Sequence, residues 1–189
     1  MIQINKNNLS ENLSPYLKQH ENNPVHWQTW SKNSLEFAKQ NKKPILLSIG
    51  YASCHWCHVM AHESFEDKDT AKLMNELFVN IKVDREEMPE IDHLYMSVCQ
   101  AITGRGGWPL TIAMTPQKEP FFAGTYFPKN QIGQRPGMLQ IIPSLANAWS
   151  TKQIEINESI KNIHDYLTSI NVSAIGDDWK ESIVESAIR

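Results

Sequence analysis

Residues 53–65 read SCHWCHVMAHESF and hold two of the chain's three cysteines and three of its seven histidines. Sulfur and imidazole at this density fit several chemistries. Cys54-His55-Trp56-Cys57 has the spacing of a dithiol redox pair. Adding His58 completes C-x-x-C-H, the haem-attachment pattern, and adding His62 brings enough ligand types for zinc. A motif kept only for packing in a redox-inactive fold is the plainest reading.

The dithiol reading has specific mechanics. A thiol at a helix N-terminus faces unpaired N–H groups that favour thiolate, and Cys54 is the residue placed there. A free cysteine with a pKa of about 8.5 is only a few per cent ionised at pH 7, whereas one at about 7 is half ionised. His55 or His58, when protonated, would add to the effect. Cys57 lies one turn further on, where its sulfur can attack a mixed disulfide on Cys54. Haem attachment usually requires export, for which nothing in the sequence argues. For zinc, Cys54, His58 and His62 fall along one helical stripe, from which a tetrahedron rarely closes. His62 reads as a helix-surface residue and Trp56, between the sulfurs, as part of the reactive surface.

These residues need elements to hold them. KKPILLSIGY, just before the motif, has a short apolar run bounded by Pro and Gly that suits a strand buried on both faces. Ser31 or Asn33 can cap a helix running to about Asn41, and Asp67 or Asp69 another over TAKLMNELF. VNIKVD, at 79–84, alternates like a strand, and REEMPEIDHLYMSVCQAIT carries Ile91, Leu94, Tyr95 and Val98 at helical spacing. GRGGWP ends that helix, LTIAM is a third strand, and 110–127 forms a hairpin. Gly137 to about Ile170 is helical, kinked or restarted at Pro143. Residues 1–30 lack a periodic apolar face and are expected to lie across the domain as an extension that buries its tryptophans. The domain proper then covers 31–170, with 171–189 a linker or the start of a further helical domain. Cys99 reads as a buried hydrophobe, and Asp84-Arg85-Glu86-Glu87 as a solvated charge run. The order of elements is α/β with a central mixed sheet flanked by helices and a long C-terminal helix.

The composition agrees with a soluble globular domain. Of 189 residues, 41% are hydrophobic and 21% charged, enough for a core. A net charge of −3 gives no electrostatic reason for a nucleic-acid partner. No apolar run is long enough for a membrane span, and the polar MIQINKNNLSENLSPYL does not read as a secretory signal. A cytoplasmic location is expected, where the cysteines stay reduced.

Five ordered stretches carry a family likeness: SPYLKQHENNPVHWQTW, KKPILLSIGYASCHWCHVMAHESFED, VNIKVDREEMPEID, TGRGGWPLTIAMTP and PFFAGTYFP. Over about residues 9–150 the chain closely resembles the thioredoxin-domain family that includes spermatogenesis-associated protein 20. The resemblance implies a thioredoxin-like fold, with Cys54 and Cys57 at the redox position and Pro109, after Trp108, at the cis-proline position. His55, Trp56, His58 and Trp108 would then shape the site. It implies thiol–disulfide exchange with a protein or small-molecule substrate and no cofactor. Family members usually continue into a helical-barrel domain similar to sugar epimerases and glycosidases. A docking module for that domain is therefore the alternative function, and a zinc site the third.

The chain departs from ordinary thioredoxins in two places. His55-Trp56 replaces Gly-Pro between the cysteines, and Ser48 stands where a buried aspartate assists the second thiol. Without that carboxylate, slower turnover or reliance on a histidine is expected. His26 and Met88 stand where the family would have aspartate and arginine, away from the sulfurs.

Overall fold

The computed structural model describes residues 4–169. The expected linker at 171–189 lies outside the described residues. Five strands form one sheet in the order β1-β3-β2-β4-β5: β1 Gln28–Thr29, β2 Ile45–Gly50, β3 Val79–Asp84, β4 Leu110–Met114 and β5 Pro120–Gly124. β1, β3 and β2 run parallel, while β4 and β5 are antiparallel to their neighbours, so the sheet is mixed. The hairpin expected over 110–127 is the β4–β5 pair.

The helices are α1 Pro15–Lys18, α2 Lys32–Gln40, α3 His55–Met60, α4 Lys68–Leu77, α5 Pro89–Thr103, α6 Met138–Thr151 and α7 Gln153–Ser169. Local chemistry sets their ends. Ser31 caps α2 by accepting from the Ser34 amide, and Asp67 caps α4 by accepting from Thr70 at 2.8 Å. α5 starts at Pro89, whereas the stretch read as helical begins at Arg85. Met88 precedes a proline and takes φ −129°, ψ 63°, which leaves Arg85–Met88 in a turn before the helix. Gly104, at φ 72°, closes α5 in the left-handed conformation that a side chain disfavours. Pro143 neither stops nor restarts its helix. The missing N–H removes one bond, yet Met138, Ile141, Ile142 and Leu145 hold α6 onto the core, and the break comes at Lys152.

The alternation of the central strands sorts two layers. Ile45, Leu47 and Ile49, with Val79, Ile81 and Val83, and Leu110, Ile112 and Met114, face one core, closed by α2, α5 and α7. The opposite face carries Leu46, Ser48 and Gly50 beside Asn80, Lys82 and Asp84, under residues 9–27, α3, α4 and α6. Every residue of β2 and β3 is buried. The alternation of VNIKVD therefore marks two covered faces rather than one wet and one dry.

The N-terminal segment is built into this second layer. Trp27 and Tyr16 are fully buried, and side-chain amides supply what periodic structure would otherwise provide. Asn7 donates to the carbonyls of His20 and Asn23, and Gln28 to those of Lys6 and His26. The expected boundary at residue 30 falls just after β1, which pairs with β3 as a strand of the sheet. Sequence reasoning did not find β1, because two residues carry no readable period.

Candidate functional site

β2 ends at Gly50, and a four-residue turn leads into Cys54, the N-cap of α3. Cys54 has extended backbone angles, φ −78° and ψ 105°, and its Sγ accepts the Cys57 amide at 3.2 Å. Cys54 and Cys57 are joined as a disulfide with Cα atoms 5.2 Å apart, and both are nearly inaccessible to solvent. Gly50 makes room for it. A Cβ built there would stand 2.7 Å from Cys57 Sγ and collide with Tyr16 Oη. The helix then widens into a π-helical turn at Ala61–Phe65, which buries Phe65 against Trp27.

Of the residues singled out around the cysteines, Trp56 is half exposed, with its ring 5.1 Å from Tyr126 and 5.6 Å from His55. Tyr126 donates to Glu63 at 2.5 Å. Partial burial and this carboxylate push its phenol up to about 12. The Trp108–Pro109 peptide is cis. Pro109 lies one residue beyond the Ile49–Leu110 pair, alongside Gly50. Trp108 is fixed from behind: its indole N–H donates to the buried Asp92 at 2.7 Å, and the Arg85 guanidinium lies 3.9 Å over its ring. Arg85 also pairs with Asp92 at 3.5 Å. An open groove runs between Trp56 and Trp108, lined further by Arg105, Tyr126 and Arg135.

The reading of the charge run needs correction, while His62 and Cys99 stand as expected. Asp84 is not solvated: it is buried and accepts from Ser14 Oγ at 2.6 Å, while Arg85 serves Trp108. His58 is turned from the sulfurs, with its Nε2–H donating to the Ala52 carbonyl at 2.8 Å. His62 is exposed and pairs with Glu66 one turn away. Among the described residues, no three of His, Cys, Asp and Glu gather in a metal-holding arrangement. Cys99 is buried as a small hydrophobe, its thiol pushed up by burial.

Sequence reasoning missed the polar floor beneath the disulfide. Lys82, on β3, is buried, and its Nζ donates to Ser48 Oγ at 2.9 Å. Three rings surround the same nitrogen: Phe65 at 4.5 Å, Trp27 at 4.7 Å and Tyr16 at 5.0 Å. Burial drives the lysine pKa well down, while the ring faces and the serine oxygen favour the ammonium. Nearby, His20 donates from Nδ1 to Asn23 Oδ1 at 2.9 Å. Burial first, then Lys82, lower its pKa to about 2, so it is neutral. The available signal was a lysine at an inward-facing strand position with a serine as its partner across the ladder.

The chain is similar to several known proteins. A family model described as Thioredox_DsbH, protein of unknown function, DUF255, matches residues 6–168. Uncharacterized protein B0495.5 of Caenorhabditis elegans is 48% identical over 161 residues, covering 85% of this chain and 22% of that protein. Spermatogenesis-associated protein 20 of Homo sapiens is 39% identical over 171 residues, covering 90% of this chain and 22% of that protein. The chain thus spans about a fifth of the length of the curated relatives it matches. Among solved structures, a DsbH oxidoreductase superposes with a TM-score of 0.47 at 18% identity, over 67% of this chain and 85% of that one. A thioredoxin from Thermus thermophilus gives 0.48 at 15% identity, over 67% and 90%.

Proposed function

The chain belongs to the Thioredox_DsbH family and has a thioredoxin-like α/β fold, and on that premise we propose that Cys54 and Cys57 carry out thiol–disulfide exchange. The observation that carries this reading is the cysteine pair itself, bonded at the start of α3 with Cys54 at the N-cap and Cys57 in the first turn. In the oxidising direction for the domain, the Cys54 thiolate attacks a substrate disulfide and displaces one substrate thiolate. Cys57 then attacks Cys54 Sγ, the Cys54–Cys57 bond forms, and the second substrate thiolate leaves. The substrate gains two electrons and the domain is oxidised. Trp56 and Trp108 border the groove in which an extended protein or small-molecule disulfide would lie, Pro109 follows Trp108 beneath it, and His55 packs on Trp56 at its rim. His58 shapes the turn before the helix through Ala52 rather than touching sulfur. The reading sets the domain in the cytoplasm, where a free thiol such as Cys99 stays reduced. Among the described residues no helix is long and apolar enough to cross a membrane.

Equilibration in glutathione buffers, alkylation and intact mass test this directly. Cys54 and Cys57 should become protected together and reversibly, and Cys54→Ser should abolish protection of Cys57. Alkylation of both at every poise would sink the reading. It would favour the docking-module reading instead.

A further inference from the structure

Cys57 must lose a proton to resolve a mixed disulfide, and the carboxylate expected beneath it is absent: Ser48 occupies that strand position. The histidines do not replace it, since His58 is engaged with the Ala52 carbonyl and His20 with Asn23. Hydroxyls and an amine stand there instead. Tyr16 Oη and Cys57 Sγ both border the space over Gly50, where an added Cβ would collide with each of them. Tyr16 Oη is buried without a hydrogen bond of full geometry, and the Ser48 hydroxyl is close enough to draw its pKa down against a larger upward push from burial. Ser48 in turn accepts from Lys82.

We infer that Lys82, reached through the hydroxyls of Tyr16 and Ser48, takes the proton from Cys57 when that thiol resolves the mixed disulfide. The inference rests on the dithiol reading above. The Cys57 S–H bond breaks, the proton passes along the two hydroxyls, and the Lys82 amine becomes an ammonium. The Cys57 thiolate attacks Cys54 Sγ, the intramolecular disulfide forms, and the Cys54–substrate bond breaks. Its electron pair leaves on the substrate thiolate. In reverse, the ammonium returns the proton as Cys57 departs.

The surroundings suit a group that must exist in both forms. Lys82 makes no ion pair among the described residues, so its charge is not locked. Three aromatic faces and Ser48 receive the ammonium, and burial receives the amine. The other titratable groups on this side are accounted for. Asp84, further along β3, is held by Ser14; His20 is neutral; His58 and His62, on the overlying helix, bond to Ala52 and Glu66. Lys82 is a positioning residue, acting through two hydroxyls, whereas the Tyr16 hydroxyl shares the space over Gly50 with the reacting sulfur.

The test is single turnover of the reduced protein with an aromatic disulfide that releases a coloured thiolate, followed between about pH 5.5 and 9. Cys54 attack releases the first thiolate and Cys57 resolution the second, so the two steps are read apart. Lys82→Met keeps the length of the side chain, and Tyr16→Phe keeps the ring while cutting the relay. In each, the second phase should slow on the order of 10²-fold at pH 7 and become steeply pH-dependent, with the first phase unchanged. Equal slowing of both phases would mean structural damage alone and would overturn the inference. So would an unchanged second phase. If Lys82→Met does not fold, Tyr16→Phe and Ser48→Ala decide by the same readout. A wild-type protein with no second phase would refute the dithiol reading instead.

Discussion

The two faces of the one sheet differ more than any two segments of the chain. On the side of α2, α5 and α7 the central strands β2, β3 and β4 present only Ile, Leu, Val and Met, and the Trp30 indole N–H is that layer's buried polar atom without a partner among the described residues. On the side of the cysteines the same strands present Ser48, Gly50, Asn80, Lys82, Asp84 and Thr111, all buried. There Tyr16 Oη, Ser64 Oγ and Asn80 Oδ1 have no hydrogen bond of full geometry among the described residues. A buried polar group is costly unless satisfied, so the second face gives up stability that the first face supplies. The difference teaches a division of labour: one face holds the sheet together, and the other uses that rigidity to keep awkward groups beneath a disulfide.

Substitutions can break this division. The largest effect expected is on the apolar face. Ile81→Ala should cost about 2–5 kcal/mol by removing a fully buried side chain between closed layers, measured as a shift in denaturant midpoint. The pH profile of thiol exchange should nevertheless be retained in the protein that stays folded. A change in that profile would mean the faces are not separable.

Gly50→Ala, on the other face, should have the opposite signature. The added methyl meets Cys57 Sγ and Tyr16 Oη, so overpacking of about 1–3 kcal/mol is expected together with a marked loss of exchange. Retained exchange would show that the cysteines can shift freely above β2, and the comparison would weaken.

The smallest effect near neutrality comes from His20. Its folded pKa is about 2, far below the ordinary value of 6.5, so the unfolded chain binds the proton that the folded one refuses. Stability is therefore full above about pH 6.5 and falls with acidity below it, by at most about 1.4 kcal/mol per pH unit. His20→Asn should flatten denaturation midpoints between about pH 6.5 and 5. An unchanged slope would move the acid sensitivity elsewhere on this face.

Much of this was legible locally. The β2 run between Pro44 and Gly50, the helix capped by Ser31 and the cysteine motif at a strand-to-helix handover can each be read from a few neighbouring residues. Other features were not. The charge run at Asp84–Glu87 reads as solvated, because nothing nearby tells that Ser14 will meet Asp84 or that Trp108 will lie under Arg85. Pro143 reads as a kink or a restart of its helix, since the apolar contacts that carry α6 through it come from the opposing layer. β1 is a strand only because β3 lies beside it.

The sequence by itself determined the backbone states of the longer strands and helices and the reactive motif, since period, caps and turn residues act within a few positions along the chain. Only the tertiary structure decided that the polar half of VNIKVD is buried and that Lys82 ends in a cage of Tyr16, Trp27 and Phe65 beside Ser48. Alternation fixes which side of a strand a residue takes. Whether that side meets water depends on what distant segments are folded over it.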